Sequence, residues 1–152
     1  MWEEVIIDYD WAETFGYDHP SMYQSRGAAY FNTQKYEEAK IDWRKYVELC
    51  PEDTFIIFQL GQVEHLLKNI TAAVQYFSQA IYLDDTNINF ITQRMVAYMG
   101  NKQNALAVED MNRLIKLNPD SIKTEINGVQ VPVLNAYLDE KGEFKMLTSK
   151  DK

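Results

Sequence analysis

Thr54–Leu67 reads TFIIFQLGQVEHLL. Moved back by one period it overlies Pro20–Thr33, and moved forward by one it overlies Ile88–Asn101. Gly61, at its middle, falls on Gly27 in one direction and on Met95 in the other. A fixed period of about 34 residues marks stacked helical units, none of which buries its apolar face alone. The stretch is therefore expected to form the middle rib of a small scaffold whose inner face is the functional surface.

Working outward, the spacing predicts three units over residues 20–119, divided as 20–53, 54–87 and 88–119. The first pairs a helix near 21–33 with one near 36–49, and Pro51 follows. The second pairs 54–67 with 71–83, before Asp84-Asp85. The third pairs 88–99 with 103–117, before Pro119. Its polar joint, Gly100-Asn101-Lys102, comes early, which predicts a shorter first helix and a longer loop there. Residues 2–15 form an amphipathic helix, with Trp2, Val5, Ile6, Tyr9 and Ala12 at helical spacing. Shifted by one period, Glu4–Tyr9 overlies Glu38–Trp43, so residues 1–19 read as a half-repeat: a second helix without its first.

The bulk properties suit such a scaffold. Of 152 residues, 46% are hydrophobic and 13% aromatic, which is a folding composition and not a disordered one. No uncharged apolar run approaches the roughly 20 residues of a membrane span. The N-terminus lacks the basic region of a signal peptide. One cysteine, Cys50, excludes an internal disulfide framework. The expectation is a soluble cytoplasmic protein. The net charge is −8, and residues 1–18 hold six acids with no Lys or Arg, leaving −2 for the remainder. No basic stripe for nucleic acid is visible. The lysines near the C-terminus read as a solubilising tail.

The residues at fixed places in each unit resemble the tetratricopeptide repeat. Unit one shows Gly27, Tyr30, Ala39, Trp43 and Pro51. Unit two shows Gly61, Ala73, Phe77 and Ala80, with Glu64 at the aromatic position. Unit three shows Tyr98, Ala107, Met111 and Pro119, with Met95 for Gly. The resemblance implies a mostly α-helical solenoid of antiparallel helix pairs. In it, small residues such as Gly27, Gly61, Ala39, Ala73 and Ala107 leave room for close helix crossings, and large ones fill the space between layers.

A second regularity supports the register. Arg26, Leu60 and Arg94 precede the Gly position of each unit, and Asp42, Tyr76 and Asp110 precede the large position of its second helix. Where Arg appears, Asp appears; where Leu replaces Arg, Tyr replaces Asp. This predicts an ion pair between the helices of units one and three, and an apolar contact in unit two.

Within the resemblance, the first helices line a concave groove through Gln24, Ala28 and Phe31, then Phe55, Phe58, Gln62 and His65, then Thr92, Val96 and Met99. The face carries no Lys or Arg, so the carboxylate-clamp function of one family subset is not implied. It suits a peptide segment with apolar anchors, with Gln24 and Gln62 bonding to its backbone. In the competing reading the chain's own termini cover this face and Phe55 and Phe58 are core.

Catalysis is not expected. His19, His65 and Cys50 make no metal-ligand spacing, and no phosphate loop or nucleophile triad is present. No cofactor is implied. Residues 120–152 leave the period. A short capping helix near 120–126, a turn at Asn127-Gly128, and a hairpin of 129–133 with 143–148 compete with a helix over 133–141. Pro132 would hold the first of those strands at an edge.

Two functions follow. The first is a non-catalytic adaptor that holds a peptide segment of another protein. Bacterial type III translocator chaperones, which are similar in size, acidity and layout, are a special case. The second is a structural subunit that pairs with another copy through residues 2–15, where Trp2 and Trp11 fit poorly with a polar cap.

Overall fold

The computed structural model describes residues 2–118 and four short strands between 123 and 146. Seven helices lie in the first part: α1 Trp2–Thr14, α2 Pro20–Asn32, α3 Tyr36–Leu49, α4 Thr54–Leu66, α5 Ile70–Leu83, α6 Ile88–Gly100 and α7 Asn104–Leu117. The period holds at every boundary. The helix-starting residues His19, Asp53 and Asn87 stand one period apart, and each accepts a hydrogen bond from the backbone N–H two positions on. Such caps satisfy donors that the first turn leaves unpaired. The joints repeat as strictly: Gln34, Lys68 and Lys102 all take the left-handed conformation, at φ 61°, 66° and 58°. Each joint reverses the chain over a short span, which makes the flanking helices antiparallel neighbours.

The third joint corrects the sequence reading. α6 runs Ile88–Gly100, 13 residues like α2 and α4, so neither a shorter helix nor a longer loop occurs there. Gly100 sits in the last helical turn, and Asn101 takes the cap. The break read from Gly100-Asn101 overrated a glycine that helical hydrogen bonding absorbs.

The chain divides into two compact units, Met1–Asp84 and Asp85–Lys152. In the first, α2 packs on α3 and α4 on α5, with α3 against α4 and α1 against α2. The core is built from Met22, Ala39, Trp43, Ile56, Leu60 and Val63, all almost fully buried. Aliphatic and aromatic side chains recurring at helical spacing supply that burial, which is the main favourable term in folding. In the second unit α6 packs on α7, with Phe90, Ile91, Ala97, Ala107, Met111 and Leu114 buried.

In the same unit Lys123–Ile126 (β1) pairs antiparallel with Val129–Pro132 (β2), and Ala136–Leu138 (β3) with Phe144–Met146 (β4). The strand containing Val129 therefore pairs with the segment before it and not with 143–148. Residues 123–126 and 136–138 are extended, not part of a capping helix or of a helix over 133–141. Pro132 closes β2, an edge strand in a two-stranded sheet. Pro119, Asn127-Gly128 and the 139–142 turn lie outside the described residues.

Candidate functional site

Each first helix has an inner side set by its packing. On α4, Ile56, Ile57, Leu60 and Gly61 are buried, while Phe55 is 60% and Leu66 48% exposed. Phe58, Gln62 and His65 lie between these extremes. Phe58 stands against the core ring of Phe77 at 5.6 Å between centroids, so one of its faces belongs to the core. On α2, Gln24 and Phe31 are half-buried. Phe31 touches Trp43 and Tyr36, at 5.5 and 5.7 Å between ring centroids. The main-chain carbonyl of Gln24 accepts from the Trp43 indole at 3.2 Å, leaving the side-chain amide to other uses.

The candidate contact residues of the first unit thus fall into two kinds. Phe31 and Phe58 are core residues with one face turned out. Phe55 is an exposed aromatic, and Gln24, Gln62 and His65 are partly exposed polar groups. On α6 in the second unit, Met99 is 42% exposed and Val96 40%. The Thr92 hydroxyl donates to the carbonyl of Ile88 at 2.7 Å.

The glycines hold these helices close to their partners. A Cβ on Gly27 would stand 2.5 Å from Cδ1 and Nε1 of Trp43, and one on Gly61 would stand 2.5 Å from Cδ1 and Cε1 of Phe77. Where the large residue is Met111, the glycine gives way to Met95. Ala39, Ala73 and Ala107 are fully buried in the second helices.

Ion pairs fix the crossings. Arg26 Nε and Nη2 donate to the two oxygens of Asp42, both at 2.8 Å, and both residues are buried. Nη1 of the same arginine donates to Asp10 at 2.9 Å and Glu13 at 2.6 Å, which ties α1 to α2. The bond to Asp42 leads in raising the guanidinium pKa, against burial. The two-oxygen geometry is that of an ionised pair, while burial pushes the Asp42 carboxyl up. Arg94 Nε donates to Asp110 at 2.8 Å in the second unit.

Unit two differs from the sequence reading. Leu60 is inside the core and Tyr76 packs against that cluster, but Tyr76 also accepts from Arg44 Nε at 3.1 Å. Arg44 Nη2 reaches Glu64 at 2.7 Å, and the other oxygen of Glu64 accepts from Asn69 at 2.8 Å. Glu64 is 1% exposed. Its place at an aromatic position was the only signal of it in the sequence, and Arg44, on α3, carried none.

The remaining chemical candidates have local roles. His19 Nδ1 caps α2 and lies 2.8 Å from the Ser21 hydroxyl. Cys50 is a free thiol at the end of α3. No group of side chains among the described residues is arranged to hold a metal ion. No helix among them is long and apolar enough to cross a membrane.

A tetratricopeptide-repeat family model matches residues 20–53 and 56–87. No match was found among curated proteins. Among solved structures, MamA from Desulfovibrio magneticus RS-1 aligns with a TM-score of 0.70 at 21% identity, over 80% of this chain and 68% of that one. YrrB, described as a TPR protein with an unusual peptide-binding site, aligns with a TM-score of 0.72 at 20% identity, over 79% of this chain and 62% of that one. The first TPR of Spaghetti (RPAP3), bound to the HSP90 peptide SRMEEVD, aligns with a TM-score of 0.61 at 21% identity, over 66% and 80%. At these identities the likeness is one of fold. Two repeats of the chain, over residues 20–87, are thus similar in sequence to the tetratricopeptide repeat, and with its helix pairs recurring at the same period through α7 the fold is a mostly α-helical one of that kind.

Proposed function

We propose that this protein is a non-catalytic adaptor that binds a peptide segment of another protein through the exposed residues of α4 and α2. The observation that carries the reading is Phe55. A large aromatic stands 60% exposed on a helix whose other large apolar residues are mostly buried, on the same helix as the half-exposed Phe58 ring and the Gln62 amide. Exposed aromatics beside amide donors are the usual materials of peptide recognition. The helices are preformed, so little ordering cost falls on this side of the complex. Thr92 and Met99 hold the same register positions on α6 and serve that unit's own face.

The anchors of the bound segment are apolar. An acidic peptide such as SRMEEVD, held by the Spaghetti domain, would find no Lys or Arg at Gln24, Ala28, Phe58 or Gln62. The test is selection from a short-peptide library on the immobilised full chain. Enriched peptides should carry spaced aromatic or aliphatic residues, and Phe55→Ala with Gln62→Ala should weaken them at least tenfold, about 1.4 kcal/mol. Tight binding of SRMEEVD itself, or enriched peptides indifferent to both substitutions, would overturn the reading.

A further inference from the structure

In the first compact unit a cleft between second helices recurs with the period. Between α1 and α3 it measures about 200 Å³ and is lined by Asp10, Glu13, Glu38 and Ile41 around the Arg26–Asp42 pair. Between α3 and α5 it measures about 300 Å³ and is lined by Arg44, Val47, Glu48 and Tyr76 around Leu60. Shifted by one period, Asp10, Glu13, Arg26 and Asp42 fall on Arg44, Val47, Leu60 and Tyr76, so these are two copies of one feature with different chemistry. The α3–α5 copy stays open with helices of this chain before and after it, so a helix ahead of α1 would not fill the α1–α3 copy. The α1–α3 copy is acidic. The one cation lining it, Arg26, is already held by Asp42, Asp10 and Glu13, and Glu38 has neither a hydrogen bond nor an ion pair among the described residues. The α3–α5 copy has an apolar floor with donors beside it. Arg44 is matched by Glu64 through Nη2 and by Tyr76 through Nε, which leaves Nη1 and the Tyr76 hydroxyl proton without an acceptor among the described residues. Because Glu64 already offsets the Arg44 charge, these donors suit a neutral carbonyl better than a carboxylate.

We propose that a partner protein lays an extended segment across both copies, with a lysine or arginine in the α1–α3 cleft and an aliphatic or aromatic side chain in the α3–α5 cleft. Complementary charge selects the first residue. The Leu60 and Val47 floor selects the second. The main-chain carbonyl beside the apolar residue accepts from Arg44 Nη1 and the Tyr76 hydroxyl. Neighbouring helices pack roughly 10 Å apart, a span of about three or four residues of extended chain. The excess of carboxylates in the α1–α3 cleft excludes nucleic acid and anionic lipid as the occupant. Phe55, Phe58 and Gln62 line neither cleft, so the site stands whether or not the Phe55 face binds peptide.

The test disables the other face first. A peptide library with one fixed arginine followed by randomised positions is selected on the immobilised full chain carrying Phe55→Ala and Gln62→Ala. Enriched peptides should place Leu, Ile, Met or Phe about three or four positions after the arginine. Glu38→Lys, at an exposed residue, should weaken them about tenfold or more without lowering the melting temperature. The same peptides with glutamine for arginine should bind more weakly and lose little further to Glu38→Lys. Tyr76→Phe should weaken both forms about threefold. Enriched peptides without that spacing, or indifferent to Glu38→Lys, overturn the proposal. A synthetic peptide of residues 119–152 that binds as tightly as the selected ones would make this chain's own C-terminal segment the occupant and overturn the assignment to a partner.

Discussion

The Trp43 indole occupies the space that a side chain on residue 27 would need: a Cβ built on Gly27 falls 2.5 Å from two atoms of the ring. Trp43 is 1% exposed and donates to the Gln24 carbonyl from the same position, so α2 holds the ring at two points. Gly27→Ala should therefore destabilise the protein by about 2 kcal/mol or more through overpacking. Trp43→Leu should cost a similar amount by leaving a cavity. Combined, they should cost clearly less than the sum, and urea unfolding of the three variants measures this.

Arg26 joins three helices, with Asp42 on α3 and Asp10 and Glu13 on α1. Arg26→Leu leaves Asp42 buried without its partner and should cost about 3–5 kcal/mol. Arg26→Leu with Asp42→Tyr, the pairing that unit two carries as Leu60 and Tyr76, should recover a good part of that loss. It should not restore the tie to α1, so amide exchange in residues 2–14 should remain faster than in the parent.

Glu64 carries a prediction that distinguishes charge from shape. Its carboxylate accepts from both Arg44 and Asn69 while almost wholly buried. Glu64→Gln keeps an acceptor and should cost about 1–2 kcal/mol. Glu64→Ala opens a cavity, strands Asn69, and should cost more. Arg44→Ala removes a side chain that is 51% exposed yet leaves the buried carboxylate without its cation. Thermal unfolding should show a loss well beyond that of a typical surface ion pair.

Tyr23 predicts an alkaline sensitivity. Its hydroxyl donates to Asp18 at 2.8 Å. That bond, followed by burial, raises the phenol pKa from 10.0 to about 12. Folding therefore favours the protonated phenol. The stabilisation is fully present below pH 10 and is lost as the pH climbs from about 10 through about 12. Tyr23→Phe should lower stability at neutral pH by about 0.5–1.5 kcal/mol. It should also flatten the fall above that range's lower end, seen as a narrowing gap between parent and variant in pH-dependent melting.

The caps offer a check on local structure. Asp53 Oδ1 accepts from the backbone N–H groups of Phe55 and Ile56, and Oδ2 accepts from the Tyr46 hydroxyl at 2.7 Å. Asn87 Oδ1 accepts from the N–H groups of Asn89 and Phe90 at the start of α6. Asn87→Ala should cost about 1 kcal/mol in urea unfolding, and Asp53→Ala more, because it also strands the buried Tyr46 hydroxyl.

What the sequence determined by itself is everything that repeats. Apolar spacing, the small residues at 27, 39, 61, 73 and 107, and the matched Arg–Asp placement set the helices, their order and their pairing. These are local or strictly periodic signals: capping acts within the first turn, helical periodicity within a turn or two, and each copy corroborates the others. Where one copy was judged alone, at Gly100, the reading failed. Tertiary structure alone decided the contacts that do not repeat. Arg26 gathers Asp10 and Glu13 besides Asp42, Glu64 sinks into the core to find Arg44 and Asn69, and Phe31 and Phe58 divide their rings between core and surface. These partners sit on different helices or across a joint and do not recur with the period, so their identity depends on where two helices cross. The same crossings leave Asp8 and Tyr9 less covered than Asp42 and Trp43. By sequence α1 is another copy of the second helix; only the structure shows that its Trp2 and Asp8 are exposed among the described residues.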